Sequence, residues 1–170
     1  MQVIAAEKDP AMIDILNKTT KDFSNIQIIQ DDILNANLIS LSYPHLTEIK
    51  DGRYKVVANL PYYITSPVVR MFLETKNRSE LMVVMVQKEV AQRICAKPPN
   101  MNLLAVSIQF YATPKIISFV SKGAFWPRPK VDSAILKLVP DKKKPVVAPD
   151  KFFVVVKAGF EKPRKQLRNK

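Results

Sequence analysis

The chain has 170 residues, 47% of them hydrophobic and 25% charged, which is enough apolar side chain to fill one main domain. It carries a net charge of +12 and a single cysteine, Cys95, so an internal disulfide is excluded and a cytoplasmic compartment fits. No apolar run reaches the roughly 18 residues of a membrane span. No charged-then-apolar leader opens the chain, so no secretory signal is expected.

Val3 to Ala6 is a short apolar run that reads as a buried strand. Asp9-Pro10 then predicts a helix start, with Asp9 as the cap and Pro10 in the first turn. Ile13, Ile15 and Leu16 offer that helix an apolar face. Ile26 to Ile29 reads as a second strand, closed by Asp31-Asp32. Residues 35–52 are polar and irregular and hold the only histidine, His45, which reads as a loop residue. Tyr54 to Ala58 predicts a third strand, followed by Asn59-Leu60-Pro61-Tyr62-Tyr63. Pro67 suits the first turn of a helix running to about Glu74. Leu81 to Val86 is continuously apolar, as in a parallel strand buried on both faces. Helices are expected over Lys88–Ala96, with Cys95 as a buried thiol inside it, and over Leu103–Ala112. Lys115–Val120 and Ser133–Val139 read as two late strands flanking a Pro-rich connection, Phe125 to Pro129. Asp141 to Pro149 is a charged linker, and Phe152–Phe160 with the residues from Arg164 onward reads as the opening of a helical appendage. Strands alternating with helices predict an α/β sheet, in which ligands sit beyond the carboxyl ends of the strands.

The charge is unevenly distributed. Residues 1–60 carry six Lys/Arg against eight Asp/Glu, residues 61–140 eleven against four, and residues 141–170 ten against three. A surface as basic as the last two stretches suits phosphates and nucleic acid. A solvated, solubilising surface is the alternative.

Three polar residues fall at expected strand ends. Glu7 can accept hydrogen bonds from both hydroxyls of a ribose, and Asp32 from an exocyclic amine such as that of adenine. Ordinary strand-end polarity would explain either one alone. Asn59-Leu60-Pro61-Tyr62 is sharper, because strand, motif and helix follow in the right order. The amino group of adenine is a poor nucleophile, its lone pair being delocalised into the ring. The Asn59 side-chain oxygen and the Leu60 carbonyl can each accept one amino hydrogen and so favour pyramidal nitrogen. Pro61 stiffens the turn and supplies no competing N–H. Tyr62 offers a face on which an extruded base can stack. A polar turn with a packed tyrosine is the competing explanation.

Asn59-Leu60-Pro61-Tyr62 matches the signature of N6-adenine methyltransferases. Gln87 to Arg93 and Phe125 to Ala134 resemble later blocks of the KsgA/Dim1 family of rRNA adenine N6,N6-dimethyltransferases. Val3 to Pro10 resembles that family's second cofactor motif, and Lys157 to Phe160 with Arg164 to Asn169 resembles the entry to its C-terminal helical domain. The resemblance implies a Rossmann-like methyltransferase sheet over residues 1–140, a linker over 141–149 and the start of a helical RNA-binding domain over 150–170. It implies S-adenosylmethionine as cofactor, small-subunit rRNA as substrate, ribosome biogenesis as context, and a monomer off the membrane. Glu7 would bind the cofactor ribose and Asp32 its adenine, with Asn59 between cofactor and target. Tyr62 and Phe125 would sandwich the target base. Arg128, Lys130, Lys162, Arg164, Lys165 and Arg168 would face rRNA phosphates. For Phe125 the alternative is a core aromatic, and for the basic tail a solvated helix face.

The family pattern has a further strand and a Gly-rich loop before the position of Met1. Here the glycines are Gly52, Gly123 and Gly159, too far apart to form one. The family's helical domain also continues past the position of Lys170, and Asn100-Met101-Asn102 stands where a Tyr-Gly pair is usual. The chain alone is therefore expected to bind cofactor weakly and to be of low activity and stability. Two other functions compete: the macrolide-resistance type of methyltransferase, which modifies large-subunit rRNA, and a non-catalytic RNA-binding or ribosome-assembly module of the same fold. Lys130 to Ala134 favours the small-subunit group over the first. The glycine spacing favours the second.

Overall fold

A computed structural model describes residues 1–34, 54–75, 77–141 and 147–161. The chain divides into two compact units, Met1–Lys50 and Asp51–Lys170.

The first unit is a strand–helix–strand crossover. Strand β1 (Val3–Glu7) pairs in parallel with β2 (Ile26–Gln30), in a register that sets Val3 against Ile26 and Glu7 against Gln30. Helix α1 (Pro10–Thr19) joins them. It starts where Asp9 and Pro10 predict: the Asp9 carboxylate accepts the Ala11 N–H at 2.8 Å, and Pro10 occupies the first turn. Ile13 and Leu16 are half-buried, but Ile15 is exposed, so the apolar stripe is narrower than expected. Residues 13 and 16 share a helix face at i, i+3, and Ile15 lies well round from Leu16. Ile29 is the one buried side chain of this unit among the described residues.

The second unit is built on a four-stranded sheet whose strands lie side by side in the order β3 (Lys55–Asn59), β4 (Leu81–Gln87), β6 (Ser133–Pro140), β5 (Ala112–Val120). Strand β3 (Lys55–Asn59) leads through a single 3₁₀ turn at Tyr62–Ile64 into α2 (Thr65–Glu74). Strand β4 (Leu81–Gln87) runs parallel to β3 and passes directly into α3 (Lys88–Ile94). Helix α4 (Leu103–Gln109) is capped by the Asn102 side chain, which accepts the Ala105 N–H. Strands β5 (Ala112–Val120) and β6 (Ser133–Pro140) are antiparallel to each other, and β6 is antiparallel to β4. Helix α5 (Pro149–Phe160) follows.

The core lies between sheet and helices. Met82, Val84 and Val86 of β4 and Ala134, Leu136 and Leu138 of β6 are fully buried, together with Val68, Val69 and Leu73 of α2, Ala91 and Ile94 of α3, and Ala105 and Ile108 of α4. The alternate β4 residues, Leu81, Val83 and Met85, are half-buried. The continuous apolarity of β4 therefore reflects cover on both faces, but the strand is parallel on one side only. β5 begins at Ala112, not Lys115, because Ala112 and Thr113 pair with Pro140 and Val139. Helix α4 is correspondingly shorter than Leu103–Ala112. Pro114 is tolerated because β5 is an edge strand. Cys95 is half-buried at the C-cap of α3 rather than buried inside a longer helix, and burial pushes its thiol pKa up.

The aromatic start of α5 packs on the end of α4. Phe152 stacks on Phe110 at 4.2 Å, and Phe153 meets the same ring edge-on at 5.4 Å. Among the described residues, β1 pairs only with β2 and β3 only with β4, so one side of each strand is unpaired. No helix among them is long and apolar enough to cross a membrane. His45 and residues 162–170 lie outside the described residues.

Candidate functional site

Asn59 is the last residue of β3, at the carboxyl end of the sheet, and it is exposed. Leu60 turns inward and is only 7% exposed, which anchors the turn in the core. Pro61, with φ −53° and ψ 133°, sets the extended bend before the 3₁₀ turn, and its carbonyl accepts the Ile64 N–H at 3.1 Å. The bend lets Tyr62 reach the internal strand β6. Its hydroxyl lies 2.9 Å from Oγ of Ser133, the fully buried first residue of β6.

Phe125 reaches the same place from the β5–β6 connection. A 3₁₀ turn at Lys122–Ala124, capped by Ser121, delivers Phe125 in an extended conformation. Asp132 fixes both ends of this loop: its Oδ1 accepts the Lys122 N–H at 3.0 Å, and its carbonyl accepts the Lys88 N–H at 3.0 Å. Asn59, Leu60, Pro61, Tyr62 and Phe125 thereby line one open groove of about 320 Å³, with Pro127 and Pro129. The structure brings together all five residues assigned from the sequence to the target base. Arg128 and Lys130, beside the groove in sequence, are exposed and have no hydrogen bond or ion pair among the described residues. Lys162, Arg164, Lys165 and Arg168 lie outside the described residues.

Glu7 and Asp32 belong to the first unit. Glu7 is the last residue of β1, and its Oε1 accepts the N–H groups of Lys8 and Asp9 at 2.7 and 2.8 Å. These two bonds fix the carboxylate and leave Oε2 as an acceptor. Asp32 lies two residues beyond β2 rather than directly at its end. It is ion-paired: Oδ2 takes the Lys8 ammonium at 2.8 Å, and Oδ1 takes the Leu34 N–H at 2.9 Å. The Lys8 hydrogen bond first, and the Leu34 N–H second, lower its pKa below the ordinary 3.8. A carboxylate offers about four lone-pair sites, so the ionised Asp32 retains accepting capacity. Both residues thus fit hydroxyl or amine donors such as those of an adenosine.

The sequence did not single out Lys8, Ser133 or Asp132 as site residues. Lys8 meets Asp32 across 24 positions and Ser133 meets Tyr62 across 71. No local pattern signals such pairings. Asp132 and Ser133 lie within the block Phe125 to Ala134, which was legible only as a block.

Residues 1–170 match the ribosomal RNA adenine dimethylase family. The ribosomal RNA small subunit methyltransferase A of Dehalococcoides mccartyi (strain CBDB1) is 47% identical over 170 residues, covering 99% of this chain and 56% of that protein. The enzyme of the same name from Streptococcus uberis is 44% identical over 174 residues, covering 99% and 59%. The chain therefore spans little more than half the length of these relatives. A crystal structure of a dimethyladenosine transferase from Plasmodium falciparum superposes with a TM-score of 0.81 at 26% identity, over 99% of this chain and 58% of that one. That of the 23S rRNA methyltransferase ErmE superposes at 0.75 and 24% identity, over 99% and 68%, a likeness of fold alone. The sheet is thus of the Rossmann-like methyltransferase type, and the chain belongs to the ribosomal RNA adenine dimethylase family.

Proposed function

We propose that the chain is the catalytic portion of an S-adenosylmethionine-dependent rRNA adenine N6,N6-dimethyltransferase acting on adjacent adenines of small-subunit rRNA. The observation that supports it most is the groove at the carboxyl end of β3, where a polar acceptor, a carbonyl turn and two aromatic rings converge. The relatives named as small-subunit methyltransferases support the choice of substrate.

Glu7 and Asp32 would hold the cofactor's ribose and adenine, with Asn59 near the methyl donor. When bound, S-adenosylmethionine supplies an electrophilic methyl group. The rest of the chemistry is positional. A target adenine flipped out of its strand enters the groove and stacks on Tyr62 and Phe125. The Asn59 side-chain oxygen and the Leu60 carbonyl accept the two amino hydrogens. That draws the nitrogen lone pair out of the ring and aims it at the methyl donor. Each transfer would replace one amino hydrogen, lost as a proton to the water of the open groove, by a methyl group, while the electron pair of the broken sulfur–methyl bond would return to the cofactor's sulfur; one amino hydrogen then remains for the second transfer. Arg128 and Lys130, with Lys162, Arg164, Lys165 and Arg168, face the rRNA phosphates. In this reading residues 1–140 form the catalytic domain, 141–149 a linker, and 150–170 the start of the helical RNA-binding domain, working in the cytoplasm as a monomer.

The test is transfer of labelled methyl groups to unmodified small ribosomal subunits by the chain extended with a family-like N-terminal strand and Gly-rich loop, with dimethyladenosine identified by mass spectrometry. The expected product is dimethyladenosine in small-subunit rRNA, lost in Asn59→Ala. Equal labelling by wild type and Asn59→Ala, or label in large-subunit rRNA instead, would overturn the proposal.

A further inference from the structure

Two aromatic pairs adjacent in sequence, Tyr62-Tyr63 and Phe125-Trp126, each place one ring at the groove. The first member of each pair lines it. The second member does not: Tyr63 is 86% and Trp126 97% exposed. Trp126 sits between two groove residues, Phe125 and Pro127, and just before Arg128 and Lys130, the exposed cations without partners among the described residues.

One exposed apolar side chain needs no explanation. Two exposed aromatic rings, each next in sequence to a groove aromatic, followed after Trp126 by two exposed cations without partners among the described residues, are a more specific combination. Aromatic faces beside positive charge are what single-stranded nucleic acid binds: successive bases stack on the rings while the cations follow the phosphates. Residues 61–140, which contain every groove residue except Asn59 and Leu60, carry eleven Lys/Arg against four Asp/Glu, so the charge complements a polyanion.

We propose that Trp126 and Tyr63 are stacking platforms for the nucleotides that flank the target adenine, so that the site takes a short single-stranded stretch of RNA and not an isolated base. The proposal rests on the groove being the target-base pocket. Stacking tolerates every base, because each has a π-face. The flanking platforms would therefore hold the strand in place without reading it, and discrimination would stay with Asn59 and the groove. Paired bases in a duplex present no free face, so the ligand is unpaired RNA.

Trp126 is the only tryptophan of the chain, so its intrinsic emission reports on this ring alone. The probe is a short adenine-containing oligoribonucleotide, with a fully paired hairpin and inorganic phosphate as controls. We expect saturable quenching by the single strand, little by the hairpin and none by phosphate. Polarisation of a labelled strand should show Trp126→Ala and Tyr63→Ala each binding about tenfold more weakly, and Trp126→Phe close to wild type. Both side chains are in water, so circular dichroism should be unchanged. Wild-type affinity in Trp126→Ala, binding without quenching, no binding of the strand, or preference for the hairpin would each overturn the proposal. Quenching by the chain with no methylation even by its N-terminally extended form would leave the platforms standing and remove the proposed reaction. Methylation with an indifferent Trp126→Ala would do the reverse.

Discussion

The hydroxyl groups of Tyr62 and Ser133 meet at 2.9 Å, tying the turn after β3 to the start of β6. Ser133 is fully buried, and across the sheet it pairs with Gln87, the last residue of β4. The ring offered to the target base is therefore held through a central strand pair and not by its own turn. A ring fixed in advance loses less freedom when a base stacks on it. Tyr62→Phe and Ser133→Ala each delete one partner, and each should cost about 1 kcal/mol of stability. In a double-mutant cycle the two losses should be strongly non-additive, read from urea denaturation midpoints. Additive losses would show that the hydroxyls do not support each other. The KM for RNA should rise less in Ser133→Ala than in Tyr62→Ala, which removes the ring itself.

Asn59 is exposed at the strand end, and its side chain has no hydrogen bond among the described residues. Asn59→Ala should therefore leave the melting temperature nearly unchanged. In the chain extended with a family-like N-terminal strand and Gly-rich loop, methyl transfer should fall by about 10²–10³, the usual loss for one positioned polar group. A variant that melts early and loses activity in proportion would instead mark Asn59 as structural.

The elements of this fold are legible in the sequence where their signals are local. Asp9-Pro10 announces α1, and the apolar run Leu81 to Val86 announces β4. Asn59 to Tyr62 is readable because spacing, flanking strand and chemistry coincide within a few residues. Strand order is not readable, since it depends on pairings such as Gln87 with Ser133. Nor was the narrow stripe of α1, where Ile15 is as apolar as Ile13 but faces water. The packing of Phe152 on Phe110 is another relationship between distant residues that composition cannot give. Asp32 was found as a candidate, but its ion pair with Lys8 was not, because both residues lie beyond their strands in segments without periodicity.

Arg128 and Lys130 provide a test of charge separate from stacking. Each phosphate neutralised on a single strand contributes about −0.7 to the slope of log affinity against log salt. Changing both residues to alanine should flatten that slope by roughly 1 to 1.5 for the oligoribonucleotide, and weaken all sequences alike. An unchanged slope would place the phosphates elsewhere, and deletion of residues 141–170 would then be the next measurement.

The Lys8–Asp32 pair makes a directional claim about pH. Asp32 has a folded pKa below its ordinary 3.8, with the Lys8 hydrogen bond as the largest cause. Its favourable contribution is thus complete above that ordinary value and is lost as pH falls through the folded one. At neutral pH the carboxylate remains ionised and able to accept a hydrogen bond from an amine N–H. Lys8→Ala should move the Asp32 midpoint back up toward 3.8, measured by carboxyl NMR titration. A midpoint that does not move would assign the shift to the Leu34 N–H instead.

Tyr54 carries the opposite sign. Its hydroxyl donates to the Asn77 carbonyl at 2.8 Å, and its own carbonyl accepts the Glu80 N–H at 2.8 Å. One residue thus pins the approach to β4 against the start of β3. Burial raises the phenol from 10.0 to about 12. The folded state holds this proton more tightly than the unfolded state does, so the contribution is complete below pH 10 and lost as pH rises toward about 12. Tyr54→Phe removes the donated hydrogen bond and should cost about 0.5–1.5 kcal/mol at neutral pH. It also removes the ionisation, so the variant should lose less stability than wild type above pH 10. The difference in urea midpoint between the two proteins should therefore shrink across that window, while the lysines and remaining tyrosines affect both alike. A difference that stays constant to about pH 12 would mean that Tyr54 titrates normally and that its hydroxyl is open to solvent.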